Sequence, residues 1–182
     1  YLVKFNSAGV RQWATYYGGT GDDVGRSLNA DPSGNVYLAG WTNSAAGIAS
    51  GGFQNMYGGG VIYDAILVKF NGGGSPLWAT YYGGAGNDAG NCVATDAAGN
   101  LYLAGTTQGA SGIASGGFQN TYGGGANDAF LVKLDAAGKR LWATYYGGGG
   151  DDRGYSATID LSGNVYLAGT TQSTTAIASG GF

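Results

Sequence analysis

Apolar and polar positions alternate along this chain in short bursts, and no useful stretch repeats every three to four residues as a helix face would. In the middle third, NCVAT (91–95) and LYLAGT (101–106) predict two strands joined by a tight turn over 96–100, where Gly99 and Asn100 suit the positive φ a hairpin needs. A polar, Gly-rich connection of about twenty residues follows. It is too long for a hairpin loop, and Ile113, Phe118 and Tyr122 are its expected anchors. FLVKL (130–134) and LWATYY (141–146) then predict two further strands around a second turn, which makes four antiparallel strands per unit.

The unit recurs. WATYYGG begins at Trp13, Trp78 and Trp142, and an IASGGF block ends at Phe53, Phe118 and Phe182. The two spacings differ by one residue, which places an insertion near Tyr63, where YGGGVIYDA stands for YGGGANDA. A fixed period of this size marks a supersecondary unit stacked on copies of itself. In the fourth strand Trp142, Thr144 and Tyr146 point to one face and Ala143 and Tyr145 to the other, so neither face is polar and both must be covered. A sandwich would leave one polar face per sheet. The pattern therefore predicts an all-β chain, a β-propeller of four-stranded antiparallel blades with three blades' worth of sequence: 20–84, 85–149, and a blade split between 1–19 and 150–182. Three blades are few for a closed ring. The expectation is either continuation in a longer chain or self-association, with six blades from two chains preferred.

Composition sharpens this picture in three places. Glycine supplies 39 of 182 residues at recurring positions, and all eleven acidic residues are Asp, a turn-rich bias with no helix-favouring Glu. Fourteen Tyr and four Trp provide the burial that a modest aliphatic content does not. A net charge of −3 without clustered Lys or Arg argues against nucleic acid, and no apolar run is long enough to span a bilayer as a helix. Histidine is absent, which removes the commonest general base and transition-metal ligand. The lone Cys92 excludes an intrachain disulfide; matched with Leu28 and Ala157, it reads as a small buried apolar residue.

WATYYGGTGDD, DPSGNVYLAGWT and GGFQNTYGGGANDAFLVKL resemble the bacterial SBBP-type β-propeller repeat, over nearly the whole chain and in three copies. The D-x-x-G-N-x-Y turn by itself is also similar to blades of NHL-type and quinoprotein propellers. The resemblance implies an extracellular or cell-surface bacterial protein, often large and multidomain, with no catalytic motif attached to the repeat.

Four sets of residues could carry chemistry. GGTGDD (18–23), GGAGND (83–88) and GGGGDD (147–152) resemble one turn of a calcium-binding nonapeptide, which makes Asp22, Asp23, Asn87, Asp88, Asp151 and Asp152 calcium candidates. That architecture needs tandem turns, and these copies are far apart; a Gly-rich connection whose Asp side chains accept backbone N–H bonds is the competing reading. Asp31, Asp96 and Asp160 open hairpins and read as Asx turns. Lys4, Lys69 and Lys133 sit in strands expected to be central and need partners, for which Asp64 and Asp128 are nearest in sequence; the alternative is a lysine-lined channel. Trp41, replaced by Thr106 and Thr170 in the other copies, is the candidate sugar platform. Adjacent carboxylates such as Asp22 and Asp23 cannot bracket a glycosidic bond. The expected function is a non-catalytic extracellular scaffold for structural, adhesion or protein-interaction roles, with no cofactor. The alternatives are a calcium-assisted carbohydrate-binding propeller with a surface glycan partner, and a non-catalytic segment of a larger secreted enzyme.

Overall fold

The computed structural model describes residues 1–59 and 62–179. Twelve strands follow one another: β1 (Leu2–Phe5), β2 (Arg11–Thr15), β3 (Asp23–Ala30), β4 (Val36–Thr42), β5 (Asp64–Phe70), β6 (Pro76–Tyr82), β7 (Asp88–Thr95), β8 (Leu101–Thr107), β9 (Asp128–Leu134), β10 (Arg140–Tyr146), β11 (Asp152–Ile159) and β12 (Val165–Thr171). There is no helix among the described residues. Two complete antiparallel blades form in chain order, β3-β4-β5-β6 and β7-β8-β9-β10, flanked by the two-stranded sheets β1-β2 and β11-β12. The strands found start earlier than the alternation alone suggests. β7 and β9 begin on the buried carboxylates Asp88 and Asp128, which read as loop in sequence because the groups that satisfy them come from elsewhere.

Local turn chemistry is as expected at the hairpins. In the β7–β8 turn the Asp96 carboxylate accepts the amides of Ala98 and Asn100 at 3.0 and 2.9 Å, and Gly99 takes φ 82°. Asn100 does not share the positive φ; its side-chain amide donates to Asp96 at 2.7 Å instead. The Tyr102 hydroxyl completes the turn at 3.1 Å from the same carboxylate.

The long connection does something that strand counting does not reveal. It folds back along the outer edge of its own blade: Ser50 exchanges backbone bonds with Ala79, and Ser115 with Ala143. Gln54 and Gln119 then receive the amides of Tyr81 and Tyr145. The edges of β6 and β10, which would otherwise present open N–H and C=O groups, are thereby covered. Ile113 anchors this connection in the second blade, fully buried, and Tyr122 packs against the same core, whereas Phe118 is 84% exposed. The corresponding Phe182, and residues 60 and 61 of the insertion, lie outside the described residues.

Blades pack face to face through successive strands. β7 lies against β3, β4 and β5, and β11 against β7, β8 and β9. Alternation along β9 shows both faces in use: Phe130, Val132 and Leu134 join Tyr37, Trp78 and Tyr82 of the preceding blade, while Leu131 faces β11–β12 with Ala157 and Leu167. Each such side chain contributes about 1.5–3 kcal/mol relative to exposure. The junction has a fixed signature. The Trp78 indole N–H donates to Ala136 O in the next blade at 3.3 Å, and its ring lies over Gly138, where a Cβ would come within 3.1 Å of ring atoms. Trp13 repeats this on Gly72 O at 3.0 Å and on Gly74.

Gly138 thus carries two constraints, φ 81° and the Trp78 ring, whereas Gly99 has φ 82° and open space around it. Gly138→Ala is expected to cost about 2–4 kcal/mol, the sum of left-handed strain and displaced ring, against about 1 kcal/mol for Gly99→Ala, in urea unfolding. Equal losses would show that the indole does not press on the turn.

Candidate functional site

The Gly-Asp/Asn-Asp strings lie at the blade tops, between the fourth strand of one blade and the first of the next. In each string the two candidates diverge. Asp23, Asp88 and Asp152 turn inward and are engaged by their own connection: Asp152 accepts Gly148 N at 2.7 Å, Ser173 Oγ at 2.6 Å and Thr171 Oγ1 at 2.5 Å. Asp23 receives the same set, with Gly19 N at 2.8 Å, Ser44 Oγ at 3.3 Å and the Thr42 hydroxyl. Asp88 accepts Gly84 N at 2.9 Å. Asp22, Asn87 and Asp151 turn outward. Asp151 holds Arg153 through two nitrogens and accepts Asn127 Nδ2 at 2.7 Å, and Asn87 Oδ1 accepts the amide of Ile62 at 2.8 Å. Among the described residues no three Asp or Cys side chains converge as a metal-binding group would require.

The inward carboxylates meet partners that sequence spacing did not suggest. Asp64, at the start of β5, faces Asp88 across Gly83, and Asp128 faces Asp152 across Gly147; a Cβ on Gly147 would sit 2.6 Å from Asp128 Oδ1 and 3.0 Å from Asp152 Oδ2. All four are buried. Asp64 and Asp128 therefore do not pair with Lys69 and Lys133, which stand at the opposite ends of the same strands. The lysines serve the lower turns instead: Lys133 lies 3.7 Å from Asp96 and over the Tyr102 ring, Lys69 over the Tyr37 ring with a bond to Ala136 O at 3.3 Å, and Lys4 reaches Gly72 O at 3.4 Å.

Burial governs the proton affinities. It pushes Asp88 up to about 7, against hydrogen bonds from Thr107 and Gly84 and with help from the Asp64 charge. It pushes Asp128 up to about 6, and the facing Asp152 adds to this. At Asp152 burial acts the same way, but the bonds from Ser173, Thr171 and Gly148 outweigh it and hold the carboxyl below its usual range. At the Asp128–Asp152 junction a carboxyl of raised proton affinity thus faces one held low by its donors, whereas at the Asp64–Asp88 junction Asp88 is raised by burial despite its donors.

Cys92 is not matched with Leu28 and Ala157. Strand register sets it opposite Ala104, as Ser27 is opposite Ala39 and Ser156 opposite Ala168, so its counterparts are serines. It is half-buried and accepts a backbone bond as the serine does. Ala157 N donates to its Sγ at 3.3 Å, as Val93 N donates to Ser27 Oγ at 3.1 Å across the preceding junction. The residue before each one, Arg26, Asn91 and Tyr155, sits in a bulge of the innermost strand, and Arg26 donates to Asn91 at 2.5 Å.

Trp41 is half-buried, with its ring centroid 5.0 Å from that of Tyr63. Two departures from the repeat, Trp41 where the second copy has Thr106 and Tyr63 where it has Asn127, thus touch each other. Among the described residues its indole N–H has no acceptor.

Stacked four-stranded sheets that share their faces through a recurring junction define a β-propeller. The model of the SBBP β-propeller repeat matches the chain three times, at residues 12–46, 77–112 and 141–174, together more than half of it, and the chain belongs to that family. It is also similar to an uncharacterized WD repeat-containing protein of Acanthamoeba polyphaga mimivirus, 24% identical across 93% of this chain, which spans 14% of that relative's length.

This geometry makes stability depend on pH and on the residue at position 92. A carboxyl whose proton affinity is higher folded than unfolded stabilises fully below its unfolded value, near 3.8, and that contribution is lost as pH rises through its folded value. Melting temperature is therefore expected to fall as pH rises from about 4 to about 7, and Asp128→Asn to flatten the slope near pH 6. A slope unchanged in the variant would relocate the effect. Below about pH 4 the opposite loss sets in as Asp152 and the turn carboxylates Asp31 and Asp96, held low by their donors, take up protons. Cys92→Ser restores the hydroxyl found in the other copies and is expected to leave stability equal or raise it by up to about 1 kcal/mol in chemical denaturation.

Proposed function

We propose that this propeller segment is a non-catalytic repeat scaffold that presents blade-top and edge loops to protein partners outside the cell. The observation that carries the reading is the fate of the carboxylates. At the blade tops Asp88 and Asp152 turn inward to hold the connections and at the hairpins Asp96 is engaged in an Asx turn, while outward Asp151 is paired with Arg153, so among the described residues no two free carboxylates face each other across an open cleft as a hydrolase would need. What the chain repeats outwardly is its connecting loops, on a sheet framework that sets them at regular intervals, an arrangement suited to multivalent contact. Membership of a propeller repeat family and similarity to a WD repeat-containing protein support a scaffold rather than a reaction.

Four measurements test it. Assays with chromogenic glycosides, esters and phosphate monoesters should give no turnover above a blank, with melting unchanged by Ca²⁺ or EDTA and no signal on a glycan array. Brief protease treatment of intact source cells should release peptides of this chain. Turnover that follows the folded protein, or peptides protected until lysis, would overturn the reading.

A further inference from the structure

The internal junction between the two complete blades is a template for two faces that this chain leaves open. There, the Arg140 guanidinium lies 4.5 Å over the Phe53 ring and donates to Ile113 O at 3.1 Å, Tyr82 meets Phe130 with centroids 5.4 Å apart, and Trp78 covers Gly138. One repeat further on, the member carried by the preceding blade is in place and its partner is not found among the described residues. Phe118 is 84% exposed where Phe53 is 39%, Trp142 has no acceptor for its indole N–H among the described residues, and the Tyr146 hydroxyl already holds Ile177 O beside a cleft of about 890 Å³. Tyr166 is 56% exposed where the equivalent Tyr102 is 1%.

The missing members are present on β1–β2. Register places Tyr1, Lys4, Gly9 and Arg11 at the positions of Phe130, Lys133, Gly138 and Arg140. Gly9 has the same left-handed backbone, φ 77°, with nothing within 4 Å of where a side chain would begin. Phe5 is 56% exposed where the matching Phe70 and Leu134 are fully buried. In both complete blades the second strand pairs with the third, Tyr37 opposite Lys69 and Tyr102 opposite Lys133. Among the described residues β12 pairs only with β11, and β1 only with β2. Charge matches as well. The Tyr166 hydroxyl already donates to Asp160 at 3.0 Å, the arrangement that in the second blade receives Lys133.

From this we infer that a second copy of the chain docks its β1–β2 hairpin against β12, with Tyr166 opposite Lys4 and Leu167 opposite Val3, and that Trp142 and Phe118 close over the incoming Gly9 and Arg11. The exchange is reciprocal: two copies contribute four complete blades and two shared ones, a six-bladed ring within the range of closed propellers. A longer polypeptide carrying this segment presents the same two faces to its own neighbouring repeats; for the 182-residue chain the complementary hairpin comes from the second copy. This does not depend on the scaffold reading.

Sedimentation equilibrium of the 182-residue chain is expected to give twice its 18.2 kDa mass. Lys4→Glu and Arg11→Glu, both at exposed positions, should each weaken association at least about tenfold with an unchanged far-UV circular dichroism spectrum. In a Cys92→Ser background, Val3→Cys with Leu167→Cys should form a reducible link between copies on oxidation, while Val3→Cys with Tyr166→Cys, one residue out of register, should not. A monomeric mass across the accessible concentration range, a ladder of open-ended species, or linkage in both cysteine pairs would each overturn the two-copy ring.

Discussion

Every sheet in this protein depends on being covered on both sides. Four strands rich in Tyr, Trp and branched aliphatic residues have no polar face, so a blade gains its stability only from its neighbours. The contact that enforces this is an indole laid across the next blade's lower turn. Trp78 on Gly138 combines an apolar plate, one hydrogen bond to Ala136 O, and a glycine that is required both for its left-handed backbone and for the space above it. Because the glycine belongs to one blade and the indole to another, turn conformation and blade packing cannot vary independently. The period of the sequence is the spacing at which this bond recurs.

The upper ends of the blades are joined by different chemistry. Carboxylates from the first strand of one blade and the third strand of the preceding one approach across a glycine, Asp64 with Asp88 and Asp128 with Asp152. Burial disfavours charge at both places and the facing carboxylate adds to this, so Asp88 and Asp128 have raised proton affinity, while Asp152 is held low by donors that outweigh its burial. The aromatic seam below is indifferent to pH in this range; the carboxyl seam above is not. The same connection strands also supply the hydroxyls of Thr42, Ser44, Thr171 and Ser173, so the loop that varies in length between copies is tied to its blade at the root.

Much of this is readable from residue order, and what is not shares a physical cause. The hairpin turns are local: an Asp, a Gly three residues on and an Asn after it determine their own geometry, so the strands of the middle copy can be located to within a few residues. The four-strand unit and its two covered faces follow from alternation. By contrast, the partners of Asp64 and Lys69 are set by which ends of two blades meet, and nearness in sequence names the wrong pair. The match of Cys92 to Leu28 and Ala157 slips by one position, and on a strand one position changes the face; the pairing with Ala104 corrects it and turns an apolar residue into a stand-in for serine. That the long connection covers its own blade's edge rests on backbone bonds from Ser50 and Ser115, which no composition signals.

A catalytic carboxyl must reach substrate, and here the two carboxyls whose proton affinity is raised, Asp88 and Asp128, are buried at the seams, where a ligand would have to separate adjacent blades to touch them. A perturbed group in a cleft suggests reactivity; the same perturbation in a closed seam reports the cost of assembling the fold. Trp41 and Tyr63 illustrate the other side of the argument. They are two of the places where this chain stops copying itself, and they meet each other close to a blade top. Because Trp41 lies on β4 and Tyr63 just before β5, their pair is held by the blade itself, and the departure from the repeat is accommodated by two side chains changing together, Trp for Thr106 and Tyr for Asn127.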